Sequence, residues 1–270
     1  MSEFKIIQNT LNPQTKQSLC HDFKKLGLKN GDIVLVHASL SQLGWVIGKE
    51  ITVIEALKEV VGEEGTIVMP SFSSDNSDPI YWQNPPVPNH WTSIIKENMP
   101  AFHPLITPTR EMERIAEAFW HYPNTKRSNH PTCSFSAHGK YSSYLTKEHP
   151  LTPAFGYSSP LYKLYEMNAK VLLLGVDYDH CTCLHLGEVK LTHHHKYHNQ
   201  GSCIIKDGKA SWVNYKDINY DDSDFLELGY DFENKYPVQI GYVGQAKSKL
   251  IEMKVLCDFA EKWLNQKRTF

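Results

Sequence analysis

Apolar residues in this chain fall into short unbroken runs, and between the runs they recur every three or four positions. After Asn12 and Pro13, Leu19, Phe23 and Leu26 share helical spacing and Gly27 stops them, which predicts a helix. The run DIVLVHASL (Asp32 to Leu40) follows an Asn-Gly turn and reads as a buried strand feeding a loop. Thr52 with Glu55 fits a capping box for a helix whose inner face is Ile54, Leu57, Val60 and Val61; Gly62 closes it. Gly65 then precedes a second strand, TIVMPSF. From Ser71 to Pro108 the chain is rich in Pro, Asn, Asp and aromatics and predicts a long ordered loop. Met112, Ile115, Ala116 and Phe119 make Arg110 to His121 helical, and VLLLGV (Val171 to Val176) is a third strand, with a helix starting near Thr182. SCIIKDGKASWV is a hairpin turning at Asp207-Gly208, and Ala246, Leu250, Met253, Cys257, Ala260 and Leu264 stripe a long last helix. Alternating strands and helices predict an α/β class, a layered α/β/α domain, and the hairpin suggests that its sheet is mixed. No repeat, low-complexity tract or linker interrupts residues 1–270, so one domain is expected.

Composition narrows the function classes. A formal charge of −2 over 270 residues gives no bias toward nucleic acid or an anionic membrane. No apolar stretch approaches the ~20 residues of a membrane-spanning helix, so no membrane partner is expected. MSEFKIIQNT lacks the basic start and apolar stretch of an export signal, and the six cysteines are scattered. Reduced thiols in a cytoplasmic protein are the expectation.

The chemistry concentrates in LLLGVDYDHCTCLHLGE, Leu172 to Glu188. Asp177, Asp179, His180, Cys181, Cys183, His185 and Glu188 stand there within twelve consecutive positions. Zinc is one reading, but there is no CxxC, no second cysteine pair, and Cys181 and Cys183 should diverge if a helix begins near Thr182; no metal is expected. Proton transfer is the other. His185 and Glu188, three apart on a helix, share a face, and a carboxylate on one ring nitrogen fixes the tautomer and raises the basicity of the other. Asp179 could do the same work from the preceding turn, and the plain alternative is a pair of surface neighbours. Such a site would lie beyond the carboxyl end of a strand, where ligands of α/β sheets commonly bind.

Several further segments, in order, resemble motifs of the aminoglycoside 3-N-acetyltransferase family: VHASLSQLGWVIG, GTIVMPSFS, DPIYWQNPPVP, MPAFHPLITPTREMERIAE, KRSNHPTCSFSAHG, YSSPLYKLYE, the Leu172–Glu188 run, GYVGQAKSKL and DFAEKWL. The resemblance spans nearly the whole chain. It implies a fold distinct from the GCN5-related acetyltransferases and acetyl transfer from acetyl-CoA to an amine, the 3-amino group of an aminoglycoside or a similar small amine. It implies that His185 is the catalytic histidine, with Glu188 and Asp179 as the acidic residues beside it. The coenzyme and acetyl group are implied at His37, Ala38, Ser39, Leu40, Ser41, Ser73, Thr107, Arg110, Glu111, Met112, Arg127, Ser128, His130 and Ser134. Backbone N–H groups of the HASLS turn are candidate oxyanion donors, and Arg127 and Lys126 candidate phosphate contacts. A homodimer is left open beside a monomer.

A polycationic acceptor needs an acidic pocket, and Lys216 to Glu233 carries Asp217, Asp221, Asp222, Asp224, Glu227, Asp231 and Glu233, with Tyr215, Tyr220 and Tyr230 interleaved for stacking on sugar faces; a solvated acidic turn is the plain alternative. The chain departs from the family pattern at Glu111 and Glu113, where glycine is common, and at Cys183, where Ser is frequent. The His193-His194-His195 run has no counterpart in the motifs. These departures imply a second reading: a coenzyme-binding member that acts on a different amine or is inactive on aminoglycosides.

Overall fold

The structure is a computed structural model that describes residues 2–192 and 195–268. Its strands are β1 (Ile33–Ala38), β2 (Thr66–Pro70), β3 (Lys126–Arg127), β4 (Phe135–Gly139), β5 (Lys170–Leu174), β6 (Tyr197–Lys206), β7 (Lys209–Ile218), β8 (Gln239–Val243) and β9 (Ala246–Glu252). Seven of them form one sheet in the order β3-β4-β2-β1-β5-β9-β8, and β6 with β7 form a separate hairpin. The β1 strand pairs in parallel with both β2 and β5, whereas β4 and β9 join antiparallel. The sheet is therefore mixed, as expected, but through β4 and β9 rather than through the hairpin. The hairpin turns at the predicted place, with Asp207 and Gly208 both at positive φ, as a tight two-residue turn requires.

The layering follows from the two-residue period of the strands. Val34 and Val36, Ile67 and Met69, and Leu172 and Leu174 face one core with the helices Lys16–Leu26, Lys49–Val61 and Arg114–Trp120. Leu35, Val68, Val171 and Leu173 face the other, against the helices Pro160–Glu166, His185–Val189, Phe225–Glu233 and Met253–Lys267. Both faces of the central strands are covered, which is why they read as unbroken apolar runs. No helix among the described residues is long and apolar enough to cross a membrane.

Several boundaries differ from the sequence reading, each for a local reason. Thr15, not Asn12, caps the first predicted helix, through a capping box with Ser18. Thr52 caps nothing: Gly48 takes a left-handed conformation and the helix is already under way at Lys49. The helix expected from Arg110 begins only at Arg114, and the long loop contains the helix Thr92–Asn98 and is tied down by bonds such as Phe102 N–H to the Cys203 carbonyl, 2.9 Å. Ala246 to Glu252 is a strand, and only Met253 onward is helical.

Gly229 shows how tightly the second core is closed. A Cβ there would fall within the ring of Tyr178, which is fully buried behind the strand β5 loop. Overpacking of this kind costs typically about 1–3 kcal/mol, and the gain in helix propensity returns only about 1. Gly229→Ala is therefore expected to lower stability by up to about 2 kcal/mol in a urea melt; an unchanged midpoint would mean that Tyr178 has room to move.

Candidate active site

The strands β1 and β5 run parallel and end side by side, and the Ser39 N–H donates to the Leu174 carbonyl at 2.9 Å. After β5, Gly175 at positive φ turns the chain into two short 3₁₀ turns, Tyr178–His180 and Thr182–Leu184, and then into the helix His185–Val189. A helix near Thr182 was expected; the α-helix proper begins with His185. A cleft opens here, beyond the carboxyl ends of β1, β2 and β5. Its wall includes His37, Ala38, Pro70, Phe72, Val176 and His185.

His185 Nδ1 lies 2.5 Å from Glu188 Oε2, and the Glu188 side chain is 2% exposed. This is a buried, tightly made pair, not a surface neighbourhood. The other carboxylate oxygen of Glu188 accepts from the Asp221 N–H at 2.9 Å. The imidazole is held on its faces and edges by aromatic rings: Phe155 stacks on it at 5.2 Å, and Tyr220 and Phe225 close in at 5.2 and 4.9 Å. With Nδ1 engaged by the carboxylate, Nε2 is the nitrogen left for the cleft. Asp179 is not that partner: it hydrogen-bonds His180 Nδ1 at 2.9 Å, although it does line the cleft.

His37 stands 8% exposed at the end of β1, and its Nε2 has no hydrogen-bond partner among the described residues. Burial, with His180 and His185 nearby, pushes its pKa down to about 3, so the ring is neutral. Four carboxylates, Glu111, Glu113, Asp179 and Asp222, line the same cleft. Glu111 holds a φ of +56°, the left-handed region that favours glycine, which is the physical reason a glycine suits that position. Leu40 and Ser41 line an adjoining cleft that shares Glu113 with the first, and Ser39 Oγ is 3.3 Å from Ser41 Oγ.

Several of the remaining sequence candidates form an interior cluster around Arg127. Arg127 is buried between the Phe102 and Trp120 rings, and its N–H groups donate to the Thr107 and Ser71 carbonyls and to the Ser73 and Ser134 hydroxyls. Burial lowers its pKa to about 10. A guanidinium so enclosed pins the Ser71–Ser73 and Thr107 segments together instead of reaching a phosphate. Ser128 bonds His149, and His130 Nδ1 accepts from the Thr132 and Cys133 N–H groups, so both organise the turn between β3 and β4. Arg110 points to Asp75 and the Asn84 carbonyl. Lys126 is exposed and bonds Ser143. Met112 lines the cleft beside Glu111.

The acidic segment is mostly engaged within the fold. Asp217 is buried under the Thr152–Ala154 turn, Asp224 and Glu227 pair with Arg268 and Lys267, Asp231 accepts from Trp263 and Glu233 pairs with Lys249; only Asp222 reaches the cleft. Tyr220 packs on His185, Tyr230 donates to Asp177, and Tyr215 bonds Ser202. Cys181 and Cys183 do not diverge: their sulfurs are 3.5 Å apart in the core. Among the described residues no group of three or more His, Cys, Asp or Glu is placed to hold a metal ion, and His193 and His194 lie outside those residues. Phe155, Phe225 and Arg268, which shape the site, carried no sequence signal, because only tertiary packing brings them to His185.

The family model described as aminoglycoside 3-N-acetyltransferase matches residues 35–265. The chain is 49% identical over 260 residues to the SPbeta prophage-derived aminoglycoside N(3')-acetyltransferase-like protein YokD of Bacillus subtilis, covering 96% of this chain and 95% of that one. Against the crystal structure of YokD the TM-score is 0.96, with 99% and 100% of the two chains covered. Aminoglycoside N(3)-acetyltransferase VII of Streptomyces paromomycinus is 32% identical, over 99% of this chain and 97% of its own. A structure titled AAC-IIIb binary with CoASH aligns with a TM-score of 0.85 at 26% identity, covering 95% and 98%. The chain belongs to the aminoglycoside 3-N-acetyltransferase family, a family of acyltransferases.

Proposed function

We propose that this protein transfers the acetyl group of acetyl-CoA to an amine of a small polycationic acceptor, the 3-amino group of a 2-deoxystreptamine aminoglycoside or a close analogue. The observation that carries the reading is the buried His185–Glu188 pair at the edge of a carboxylate-lined cleft. An amine near neutral pH is mostly protonated and cannot attack a thioester. One ammonium proton is given up to solvent, and Nε2 of His185 takes a second as the nitrogen attacks the carbonyl carbon; Glu188 holds the ring by Nδ1. The carbon–sulfur bond then breaks, and the proton on His185 passes to the departing thiolate. The carbonyl oxygen, negative in the intermediate, needs fixed donors. The Ser39 N–H already serves Leu174, so in that turn the donors fall to Leu40 and Ser41. The unpartnered Nε2 of His37 is a buried polar atom in the cleft wall that suits the acyl end of the coenzyme. The CoASH complex of a relative supports the choice of donor.

A thiol-release assay with acetyl-CoA and a panel of 3-amino aminoglycosides tests this: release must require both substrates. The carboxylates make a further prediction. Glu111→Gln with Glu113→Gln is expected to raise the acceptor KM about three- to tenfold, less at high salt, while the acetyl-CoA Kd stays within about twofold. An acceptor KM indifferent to both charge and salt would place the acceptor elsewhere. The same two carboxylates, at positions where the family favours glycine, support the second reading. Its signature is coenzyme binding with no thiol release from aminoglycosides but release with another amine.

A further inference from the structure

The back of Glu188 is as closely held as its front. Glu188 Oε1 lies 2.5 Å from Nη1 of Arg268, a residue 80 positions further along the chain. The same guanidinium grips Asp224 by two bonds, Nε to Oδ2 at 2.9 Å and Nη2 to Oδ1 at 2.6 Å, and Nη2 also donates to the Asp221 carbonyl at 2.5 Å. Burial opposes the charge of Arg268, but its bonds to Asp224 and Glu188 outweigh that and raise its pKa above the usual arginine range. Arg268 is itself placed by the fold, because its N–H caps the last helix on the Leu264 carbonyl. That helix is the floor on which the His185 helix sits: a Cβ at Gly187 would come within 3.0 Å of Ala260.

We infer that Arg268 is a positioning residue for the proposed base, acting through Glu188 to hold His185 in one tautomer with Nε2 open to the cleft. A buried carboxylate offered only an imidazole could rotate, or share a proton with the ring. With Asp221 and Arg268 on Oε1, its orientation is fixed and its charge is balanced from behind. The chain Asp224–Arg268–Glu188–His185 thus links the last helix to the reacting nitrogen. The inference rests on the acetyltransferase reading for its kinetic consequence, but not for its structural one.

The experiment compares wild type, Arg268→Gln, Arg268→Lys and Lys267→Ala in the full chain. The readouts are kcat, the KM for acetyl-CoA, and the His185 tautomer, followed by nitrogen-15 NMR of histidine-labelled protein. Arg268→Gln is expected to lower kcat about 10- to 100-fold with the KM for acetyl-CoA changed less than about threefold, and to populate both tautomers of His185. Arg268→Lys, which keeps the charge, should recover most of the rate, and it decides the case if the Gln variant does not fold. Lys267→Ala, which removes an exposed charge paired with Glu227, should match wild type. An Arg268→Gln variant with wild-type kcat, or one that loses rate while keeping a single tautomer, overturns the inference. If wild type itself releases no thiol with any acceptor, the acetyltransferase reading falls, and the tautomer comparison alone decides the role of Arg268.

Discussion

Replacing His185 with Ala should lower kcat for acetyl transfer by about 10²- to 10⁴-fold, the usual contribution of a positioned general base. The Kd for acetyl-CoA should stay within about threefold, because the imidazole is there to move protons and not to hold the coenzyme. Stability should suffer less than the deletion of a buried group suggests. Glu188 loses the partner of one oxygen but keeps Asp221 and Arg268 on the other, so the electrostatic part of the cost is one charged hydrogen bond, about 1–3 kcal/mol, to which the lost packing on Phe155, Tyr220 and Phe225 adds. Stopped assays for rate, calorimetry for coenzyme and thermal melts for folding separate the three quantities. A variant that binds coenzyme, melts near wild type and still turns over normally would remove His185 from the mechanism.

The second large effect concerns acid. His37 and His130 are buried, His149 is half-buried, and all three are neutral: burial pushes His37 to about 3 and His130 to about 4, and desolvation holds His149 well below the usual histidine range, with His130 beside it working in the same direction. The rings of His130 and His149 are 4.5 Å apart, so charging one opposes charging the other. In the unfolded chain each titrates near 6.5. Below that pH the unfolded state therefore binds more protons than the folded one, and stability falls as pH drops from about 6.5 toward 4. At 1.36 kcal/mol for each pKa unit, His37 and His130 alone account for about 6 kcal/mol near pH 4. Asp217 acts in the opposite sense. Burial raises its carboxyl to about 6, so between about 3.8 and 6 the folded state holds the extra proton and gains up to about 3 kcal/mol as pH falls. The net loss is therefore about 3 kcal/mol near pH 4, and His149 adds to it in the same direction, a large fraction of the stability of a typical domain. Urea melts from pH 7.5 to 4.5 should show a steep decline beginning below 6.5, and His130→Asn with His149→Gln should flatten it. A stability that is level across that range would mean that these histidines are charged or solvated in the fold.

The sheet was legible where local and tertiary demands agree. The runs at β1, β2 and β5 are apolar on both faces because helices cover both, and nothing but a buried strand fits a run so short. Ala246 to Glu252 misled because its buried residues also fall at helical spacing; pairing with β5 and β8, which no local pattern contains, makes it a strand. The pair His185–Glu188 was legible because three residues on a helix bring two side chains together whatever surrounds them. The choice between Glu188 and Asp179 was not, since it depends on where the 3₁₀ turn Tyr178–His180 aims its carboxylate. Arg127 read as a phosphate contact because a basic pair is ordinarily exposed, and only the packing of Phe102 and Trp120 encloses it. The acidic stretch from Asp217 to Glu233 read as an acceptor surface, yet most of its charges meet partners from the Thr152–Ala154 turn, from β9 and from the last helix. Of the four carboxylates of the cleft only Asp222 comes from that stretch, and two come from Glu111 and Glu113, where the sequence shows only a departure from the family pattern.

The most direct test of the account is the chemical structure of the acceptor after incubation with acetyl-CoA, determined by mass spectrometry and NMR. One added acetyl group is expected, on the 3-amino nitrogen of a 2-deoxystreptamine aminoglycoside, formed by wild type and not at a comparable rate by His185→Ala. An unmodified acceptor recovered beside undiminished acetyl-CoA, or equal acetylation by the His185→Ala variant, would contradict it.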